Sequence, residues 1–362
     1  MRFIYYSKQI ILIIKTGLSF KASFLFVAFL FFSLIACERQ GGDKQNSLLL
    51  SGSTMGTTYS IKIIDPPVGL VAVTLQKQVD DLLKEINQQM STYIDDADIM
   101  QFNRAEIGQW QTVSSDFLDV LSLSQEIAAL TAGRFDITIG PLIELWGFGK
   151  REQGDIPSES EINAAKNRVG WQNLVIDQQQ RAIKKMTPLW LDVSAVAKGY
   201  GVDQISVLLD QYTASHYLVE IGGEMRVKGL NQQGQAWRVG IEAPSVLQRQ
   251  AQQIVALTDS AIATSGDYRN FFEKEGQRFS HTIDPSTGKP VRHNIASVTV
   301  ISETAAVADA YATALNVLGK EEALALAKQQ NLAAYFILYN NDDSNRDYDI
   351  VVTELFKPFL VQ

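Results

Sequence analysis

A carboxylate and a hydroxyl lie four residues apart in the apolar segment 304–318, at Asp309 and Thr313. Residues with this spacing lie on one face of a helix. Alanine and valine surround them, and a carboxylate in such a setting needs a partner because an unpaired buried charge is unfavourable. A hard cation such as Mg²⁺ takes oxygen ligands and keeps positions for water or phosphate. The alternative, an aspartate that stabilises the helix start, is weaker because Asp309 lies more than a turn beyond Thr304.

A second segment, residues 191–201, joins an acidic strand end at Asp192 to a helix with Lys198 in its first turn. Backbone amides at a helix N-terminus together with a cation form a phosphate site. A plain strand-to-helix turn with a solvated lysine explains the same residues equally well. Both interpretations therefore stay open at this segment.

His281 lies three residues before the turn sequence Asp284-Pro-Ser-Thr-Gly288, in which proline fixes φ and glycine accepts a positive φ. The turn taken alone is structural. The chain has only 3 histidines, and an imidazole can take a hydroxyl proton near neutral pH. A single histidine is more often structural, so its assignment as a base depends on its surroundings.

Glycine-rich segments elsewhere would let a ligand approach the backbone closely; they are residues 52–58, 133–149, 219–224 and 263–266. The second of them combines Asp136 with Trp146 and Phe148, which suits a flat heteroaromatic ring, although such aromatics more often pack in cores. The first is more often a plain hairpin turn.

Apolar spacing predicts the elements that carry these residues. Helices are expected over 74–90, 115–132, 158–170, 195–209, 304–318 and 320–330, and Ser158 with Glu161 forms a capping box. Strands are expected as a pair around residue 59, after Gly133, and over 174–177, 182–186, 189–193, 217–221, 225–228, 237–241, 254–257, 296–301, 333–338, 347–352 and 355–360. Strands outnumber helices and follow one another closely, which predicts an α+β fold with antiparallel sheets rather than a doubly wound parallel sheet.

Charge and cysteine content exclude several classes of function. The formal net charge of the 362 residues is −8, and an acidic chain does not follow nucleic-acid phosphates by bulk electrostatics. A phosphate-bearing ligand must then be held by backbone amides, single basic residues or a bridging cation. The single cysteine cannot form an internal disulfide.

That cysteine, Cys37, ends the sequence Leu34-Ile-Ala-Cys37 after an apolar run and a lysine-containing flank. The arrangement predicts a lipoprotein signal peptide over residues 1–36, which is removed, and a diacylated Cys37. A flexible linker would follow over 37–47 and a folded domain over 48–362. We therefore expect a chain anchored by lipid to the periplasmic side of the inner membrane. An uncleaved signal anchor with an incidental cysteine is the alternative.

Taken in order, the chemical segments resemble the ApbE family of FAD:protein FMN transferases, from about Ser51 to the C-terminus. The segments that carry the resemblance are Met55-Gly-Thr-Thr58, Ser91-Thr-Tyr93, Phe135-Asp-Ile-Thr-Ile-Gly-Pro-Leu142, Leu145-Trp-Gly-Phe-Gly149, Leu191-Asp-Val-Ser-Ala-Val-Ala-Lys-Gly-Tyr200, Thr264-Ser-Gly266, Ser280-His-Thr-Ile-Asp-Pro-Ser-Thr-Gly-Lys-Pro290 and Ala308-Asp-Ala-Tyr-Ala-Thr313. The resemblance implies a two-lobed single domain of the T-fold-like type.

The resemblance also implies roles for single residues. The FAD site would be lined by Met55, Tyr93, Arg134, Phe135, Asp136, Asp192, Lys198 and Ile283. The carbonyl of Ala195, with Asp309 and Thr313, would hold Mg²⁺ against the pyrophosphate, and His281 would be the base. Ala312 stands where some relatives carry a second aspartate, so water and phosphate would supply more of the metal ligands.

The implied reaction transfers the FMN moiety of FAD onto a threonine hydroxyl of a target flavoprotein and releases AMP. By the same resemblance, the targets are flavin-carrying subunits of membrane-bound NADH:quinone oxidoreductases or Rnf-type complexes. Two alternatives stay open: an FAD pyrophosphatase, in which water replaces threonine, and a non-catalytic flavin-binding lipoprotein.

Overall fold

An eight-stranded antiparallel sheet forms the centre of the fold, in the strand order β1-β2-β6-β7-β10-β15-β16-β17. The strands of the protein in chain order are β1 (Ser47–Thr54), β2 (Thr57–Ile64), β3 (Gln111–Thr112), β4 (Leu174–Asp177), β5 (Ala182–Lys185), β6 (Tyr217–Ile221), β7 (Glu224–Lys228), β8 (Trp237–Glu242), β9 (Ala251–Leu257), β10 (Ser260–Gly266), β11 (Phe271–Lys274), β12 (Gln277–Ser280), β13 (Ile283–Asp284), β14 (Lys289–Pro290), β15 (Ile295–Ser302), β16 (Ala333–Tyr339) and β17 (Tyr348–Val352).

The helices are α1 (Ala72–Met90), α2 (Asp98–Arg104), α3 (Ser115–Leu130), α4 (Gly140–Leu145), α5 (Glu159–Lys166), α6 (Ser194–Gln211), α7 (Ala305–Leu318) and α8 (Lys320–Gln329), with 3₁₀ turns at Trp171–Asn173 and Glu354–Phe359. The computed structural model describes residues 46–149, 156–244, 250–266, 271–274, 277–340 and 348–361. The predicted signal peptide, Cys37 and most of the linker lie outside the described residues. No helix in the described ranges is long and apolar enough to cross a bilayer.

Helices cover one face of the sheet and a hairpin covers the other. Seven of the eight residues of β15 are buried, as expected for a strand that packs on both faces. Val298 and Val300 contact the helical core, whereas Ile301 packs with β8, β9 and the C-terminal segment. The α+β prediction is confirmed, and residues from Asn46 onward form one compact unit.

Three strand predictions are wrong for identifiable reasons. The apolar stretch after Gly133 contains α4, because Pro141 in its first turn is pre-organised for a helix. The segment 355–360 forms a 3₁₀ turn that contains Pro358, which has no N–H for a sheet. Residues 189–193 make a single bridge, from Trp190 to Ile139.

In residues 189–193, hydrogen bonds to the Asn103 side chain take the place of hydrogen bonds to a neighbouring strand. The Asn103 amide nitrogen donates to the Leu191 carbonyl at 2.9 Å, and the Leu191 N–H donates to the Asn103 amide oxygen at 2.6 Å. Buried backbone groups must find partners, and here α2 supplies them. The predicted helix over 158–170 also ends early, at Lys166, although its capping box is present.

Candidate active site

Helices α6 and α7 approach each other closely because α6 has a glycine at the contact. A Cβ built on Gly199 would lie 2.3 Å from the Ala305 carbonyl oxygen, so only glycine fits there. The facing side of α7 is rich in buried alanines. This contact brings Lys198 of α6 beside Asp309 of α7.

One ammonium group is shared by two buried carboxylates at this contact. The Lys198 Nζ lies 2.9 Å from Glu224 Oε1 and 3.6 Å from Asp309 Oδ2. The Gly199 N–H donates a hydrogen bond to the same Asp309 oxygen at 3.1 Å. The two carboxylate side chains are 5% and 7% exposed, and that of Lys198 is 28% exposed. The partners that the sequence required for Asp309 are therefore Lys198 and a backbone amide.

Burial and opposite charges shift the pKa values of this cluster in a consistent way. Burial raises the pKa of Glu224 to about 7, although Lys198 pulls it down. Burial likewise raises the pKa of Asp309 above its ordinary value. Burial alone would lower the pKa of Lys198, but the Asp309 and Glu224 carboxylates outweigh it and raise it. Lys198 is therefore protonated at neutral pH.

The oxygen groups that the family resemblance implies as metal ligands belong to the two helices that meet at Asp309. Gly199 lies four residues after Ala195, and an α-helix turns the Ala195 carbonyl toward the Gly199 amide that contacts Asp309. Thr313 lies one turn after Asp309 on α7. No three Asp, Glu, His or Cys side chains are grouped as metal ligands in the described part of the chain. A hard cation would therefore use one carboxylate together with neutral oxygens, which suits Mg²⁺.

A cleft of about 480 Å³ opens directly beside Lys198. Four of the eight residues predicted to contact flavin line it: Met55, Tyr93, Asp192 and Lys198. Tyr93 follows the C-terminal end of α1 and is 66% exposed, which places an aromatic ring at the edge of the cleft. Asp192 accepts a hydrogen bond from the Ser194 N–H at 2.9 Å and so forms the turn that begins α6.

The other four predicted flavin contacts are not among the described residues that line the cleft. Phe135 is buried in the helical core, and Asp136 is buried with its carboxylate accepting bonds from Thr138 and the Trp171 N–H. Arg134 binds Asp284 at 3.0 Å, beside the buried Ile283. Arg134 thus connects the segment after α3 to the β13–β14 hairpin, and the contacts of all four residues with flavin stay predictions.

His281 lies between β12 and β13, at the edge of an aromatic cluster. Its ring meets Phe148 edge-on with 6.4 Å between centroids, and Phe148 packs against Phe272. The imidazole is half-buried. The cluster fixes where the ring lies, which a catalytic base requires, but its distance from a reacting hydroxyl depends on the bound substrate.

Sequence reasoning missed Glu224. The residue was visible only as the end of a strand with paired glycines, and its carboxylate had no assigned role. The sequence feature that could have marked Glu224 as a candidate site residue is its position directly after the Gly222-Gly223 turn of the β6–β7 hairpin. What the pattern could not supply was the partner, because Lys198 lies on a different element.

Comparison with known proteins identifies the family of this chain. Residues 55–336 match the model of the ApbE family. A FAD:protein FMN transferase of Vibrio cholerae is 42% identical over 328 residues, covering 90% of this chain and 96% of the relative. One from Haemophilus influenzae is 38% identical and covers 84% and 89%.

Solved structures give the same result. The flavin transferase ApbE from Vibrio cholerae superposes with a TM-score of 0.80 at 41% identity, covering 87% of this chain and all of that one. The ApbE protein of Thermotoga maritima gives 0.76 at 27% identity, covering 88% of this chain. The protein therefore belongs to the ApbE family.

Proposed function

We propose that this protein transfers the FMN moiety of FAD onto a threonine hydroxyl of a target flavoprotein. The observation that carries the proposal is the position of the cleft beside Lys198, which itself contacts Asp309. An aromatic-edged cleft lined by a lysine that contacts a buried carboxylate suits a flavin joined to a pyrophosphate. The two relatives named FAD:protein FMN transferase above cover 90% and 84% of this chain.

The proposed reaction is a phosphoryl-type substitution. The threonine oxygen attacks the phosphorus on the FMN side of the FAD pyrophosphate, and a new P–O bond forms. The bond from that phosphorus to the bridging oxygen breaks, and AMP leaves with the electron pair. The threonine proton goes to a base. FMN thus becomes joined to the protein by a phosphoester, and no oxidant or reductant is consumed.

The residues of this protein would supply charge and position, which are the main requirements of phosphoryl transfer. Lys198 offers a permanent positive charge at the end of the cleft. Ala195, Asp309 and Thr313 would hold Mg²⁺, which, when bound, neutralises phosphate oxygens in an acidic protein. Met55 and Tyr93 would flank the flavin and restrict water access.

His281 is the residue that we assign as the base. A neutral imidazole can accept a hydroxyl proton near pH 7, and the contact with Phe148 holds the ring at a fixed place. The proton would then leave to solvent once the target has departed.

The place of action follows from the resemblance and from the N-terminal sequence. We propose a diacylated Cys37 that anchors the enzyme on the periplasmic side of the inner membrane. The targets would be flavin-carrying subunits of NADH:quinone oxidoreductases or Rnf-type complexes, because these are membrane-bound and lie within reach of an anchored enzyme.

Mass spectrometry of the acceptor tests the proposal. The purified protein is incubated with FAD, Mg²⁺ and a flavin-carrier subunit, with the same carrier lacking its acceptor threonine as the control. We expect the carrier, and not the control, to gain the mass of FMN less water. Release of free FMN and AMP without a modified carrier would instead assign the site to FAD hydrolysis. FAD that stays intact would contradict both.

A further inference from the structure

We infer that Glu224 is a positioning residue that holds Lys198 away from Asp309, so that a divalent cation can reach the Asp309 carboxylate. The inference rests on the proposed function, because it concerns the same cation site. It assigns a role to a buried carboxylate that the proposed reaction does not otherwise use.

The first observation is the asymmetry of the two contacts. The Lys198 Nζ lies at hydrogen-bonding distance from Glu224, 2.9 Å, but at 3.6 Å from Asp309. Asp309 instead accepts a hydrogen bond of 3.1 Å from the Gly199 amide. The ammonium group is thus held mainly by Glu224, although it lies within the reach of both carboxylates.

The second observation is the turn that delivers Glu224. Gly222 and Gly223 form the two-residue loop of the β6–β7 hairpin, and both have positive φ, +59° and +107°. A Cβ on Gly222 would lie 2.8 Å from the Thr57 methyl group and 3.4 Å from Lys198 Cδ. The glycines therefore let the hairpin close over the lysine stem and direct the carboxylate to its ammonium end.

The third observation is that Glu224 is only half satisfied. Its second carboxylate oxygen, Oε2, is buried and has no hydrogen-bond partner among the residues that the structure describes. A buried carboxylate that served only to stabilise the fold would be expected to bond through both oxygens. Glu224 keeps an unsatisfied oxygen next to a shared cation, which is explained if its task is to attract Lys198.

Charge counting shows what Glu224 changes. With Glu224 ionised, two carboxylates face one ammonium, and the cluster has a net negative charge that favours a further cation. Without it, Asp309 is the remaining carboxylate within 4 Å of Lys198 among the described residues, and the ammonium would pair with it. A divalent cation would then have to displace Lys198 before it could bind.

The test is a double-mutant cycle on divalent-cation affinity, measured by isothermal titration of the metal-stripped full-length protein with Mg²⁺ and with Mn²⁺, without FAD. We expect Glu224→Gln to weaken the affinity about tenfold. In the Lys198→Met background the same change should weaken the affinity by only about threefold, because no ammonium is left to compete and only the attraction of the Glu224 charge for the cation is lost. Equal effects of Glu224→Gln in both backgrounds would overturn the inference.

Two control variants show whether the effect is specific to the Glu224 carboxylate. Glu220→Gln removes the same charge from the other side of the glycine turn, where Glu220 bonds the Gly223 amide and Ser60; it should leave the affinity unchanged. Asp309→Asn should abolish binding. Thermal unfolding must show Glu224→Gln to be folded, which we expect because glutamine resembles the neutral acid.

The outcomes separate this inference from the proposed function. If no variant binds a divalent cation, the inference fails together with the metal-dependent part of the mechanism. Transfer of FMN onto the carrier could still be measured in that case. If binding is strong but the cycle is additive, only the role of Glu224 is wrong.

Discussion

Two buried aspartates lie along the same α6–α7 contact, and they are bonded in opposite ways. Asp203 accepts bonds of 2.9 Å from the N–H groups of Ala305 and Ala306 and binds Arg226 at 2.7 Å. Asp309 accepts a hydrogen bond from the Gly199 amide and shares the Lys198 ammonium group with Glu224. Burial is the largest cause of a raised pKa at both.

The difference separates a structural carboxylate from one that is available to a ligand. Asp203 closes the N-terminus of α7, where unpaired amides and the helix dipole favour an anion. Asp309 lies further along the same helix, keeps acceptor capacity and lies beside residues 195–199 of α6. One end of the contact therefore fixes the two helices, and the other end is where we propose that a cation binds.

The largest expected effect is the loss of stability when Asp203 is replaced. Asp203→Ala leaves the half-buried Arg226 guanidinium and two helix amides without their partner, and we expect a loss of roughly 3 kcal/mol in the free energy of unfolding. Urea denaturation measures it. FMN transfer per folded molecule should fall less than tenfold. A larger drop in activity without a loss of stability would reverse the assignment of the two aspartates.

Replacing Asp309 should reduce activity and leave stability largely unchanged, the reverse of what we expect for Asp203. Asp309→Asn keeps the side-chain shape but removes the charged ligand, so we expect transfer to slow by about 100-fold. The unfolding free energy should stay nearly level, since Glu224 still pairs the Lys198 ammonium and the asparagine oxygen can still accept the Gly199 hydrogen bond. Steady-state rates and denaturation on the same preparation check both. A destabilised but fully active variant would contradict the comparison.

Gly199→Ala tests whether the close helix contact links the two ends. The new methyl group would collide with the Ala305 carbonyl, and we expect a loss of about 2 kcal/mol in stability together with weaker divalent binding. Val207→Ala, on the exposed side of α6, is the matched control and should change neither. Normal affinity for the cation in Gly199→Ala would show that the ligands do not depend on this spacing.

The smallest effect concerns the C-terminal end of α7, where His293 packs against Gly319. The residue is half-buried, its Nδ1 accepts a hydrogen bond from the Ile295 N–H, and burial lowers the pKa of His293. The unfolded chain therefore binds a proton at His293 more readily than the folded protein does. The stability that the neutral imidazole contributes is fully present above the pKa of histidine in the unfolded chain, and it is lost as the pH falls below that value. We expect wild-type unfolding free energy to drop by about 1 kcal/mol between pH 7 and 5 relative to His293→Gln. Parallel pH profiles would disprove this.

Local sequence patterns predicted most of the fold. The apolar spacing of six residues predicted α1, and all of them except Leu82 are buried: Leu75, Val79, Leu82, Leu83, Ile86 and Met90. The capping box of Ser158 and the two helices broken at Gly319 were found as well. These features depend on residues within one or two turns of each other, and so a local pattern is sufficient.

Contacts between distant segments could not be predicted in the same way. The amide of Asn103 bonds Leu191, 88 residues away, and this bond explains why an alternating apolar segment is not a strand. The proposed cation site also depends on contacts between distant segments. The Asp309–Thr313 spacing was readable, whereas the sharing of Lys198 between Asp309 and Glu224 needs three elements to meet.

The sheet order has a consequence for incomplete chains. The cleft walls come from residues that precede Gly199, whereas Asp309 and Thr313 follow β15 in the chain. A fragment that stops before residue 304, through arrested synthesis or proteolysis, would lack α7 and two strands of the central sheet, and with them the groups that we propose act on the FAD phosphates. Damaged copies should therefore be unable to consume the dinucleotide wastefully.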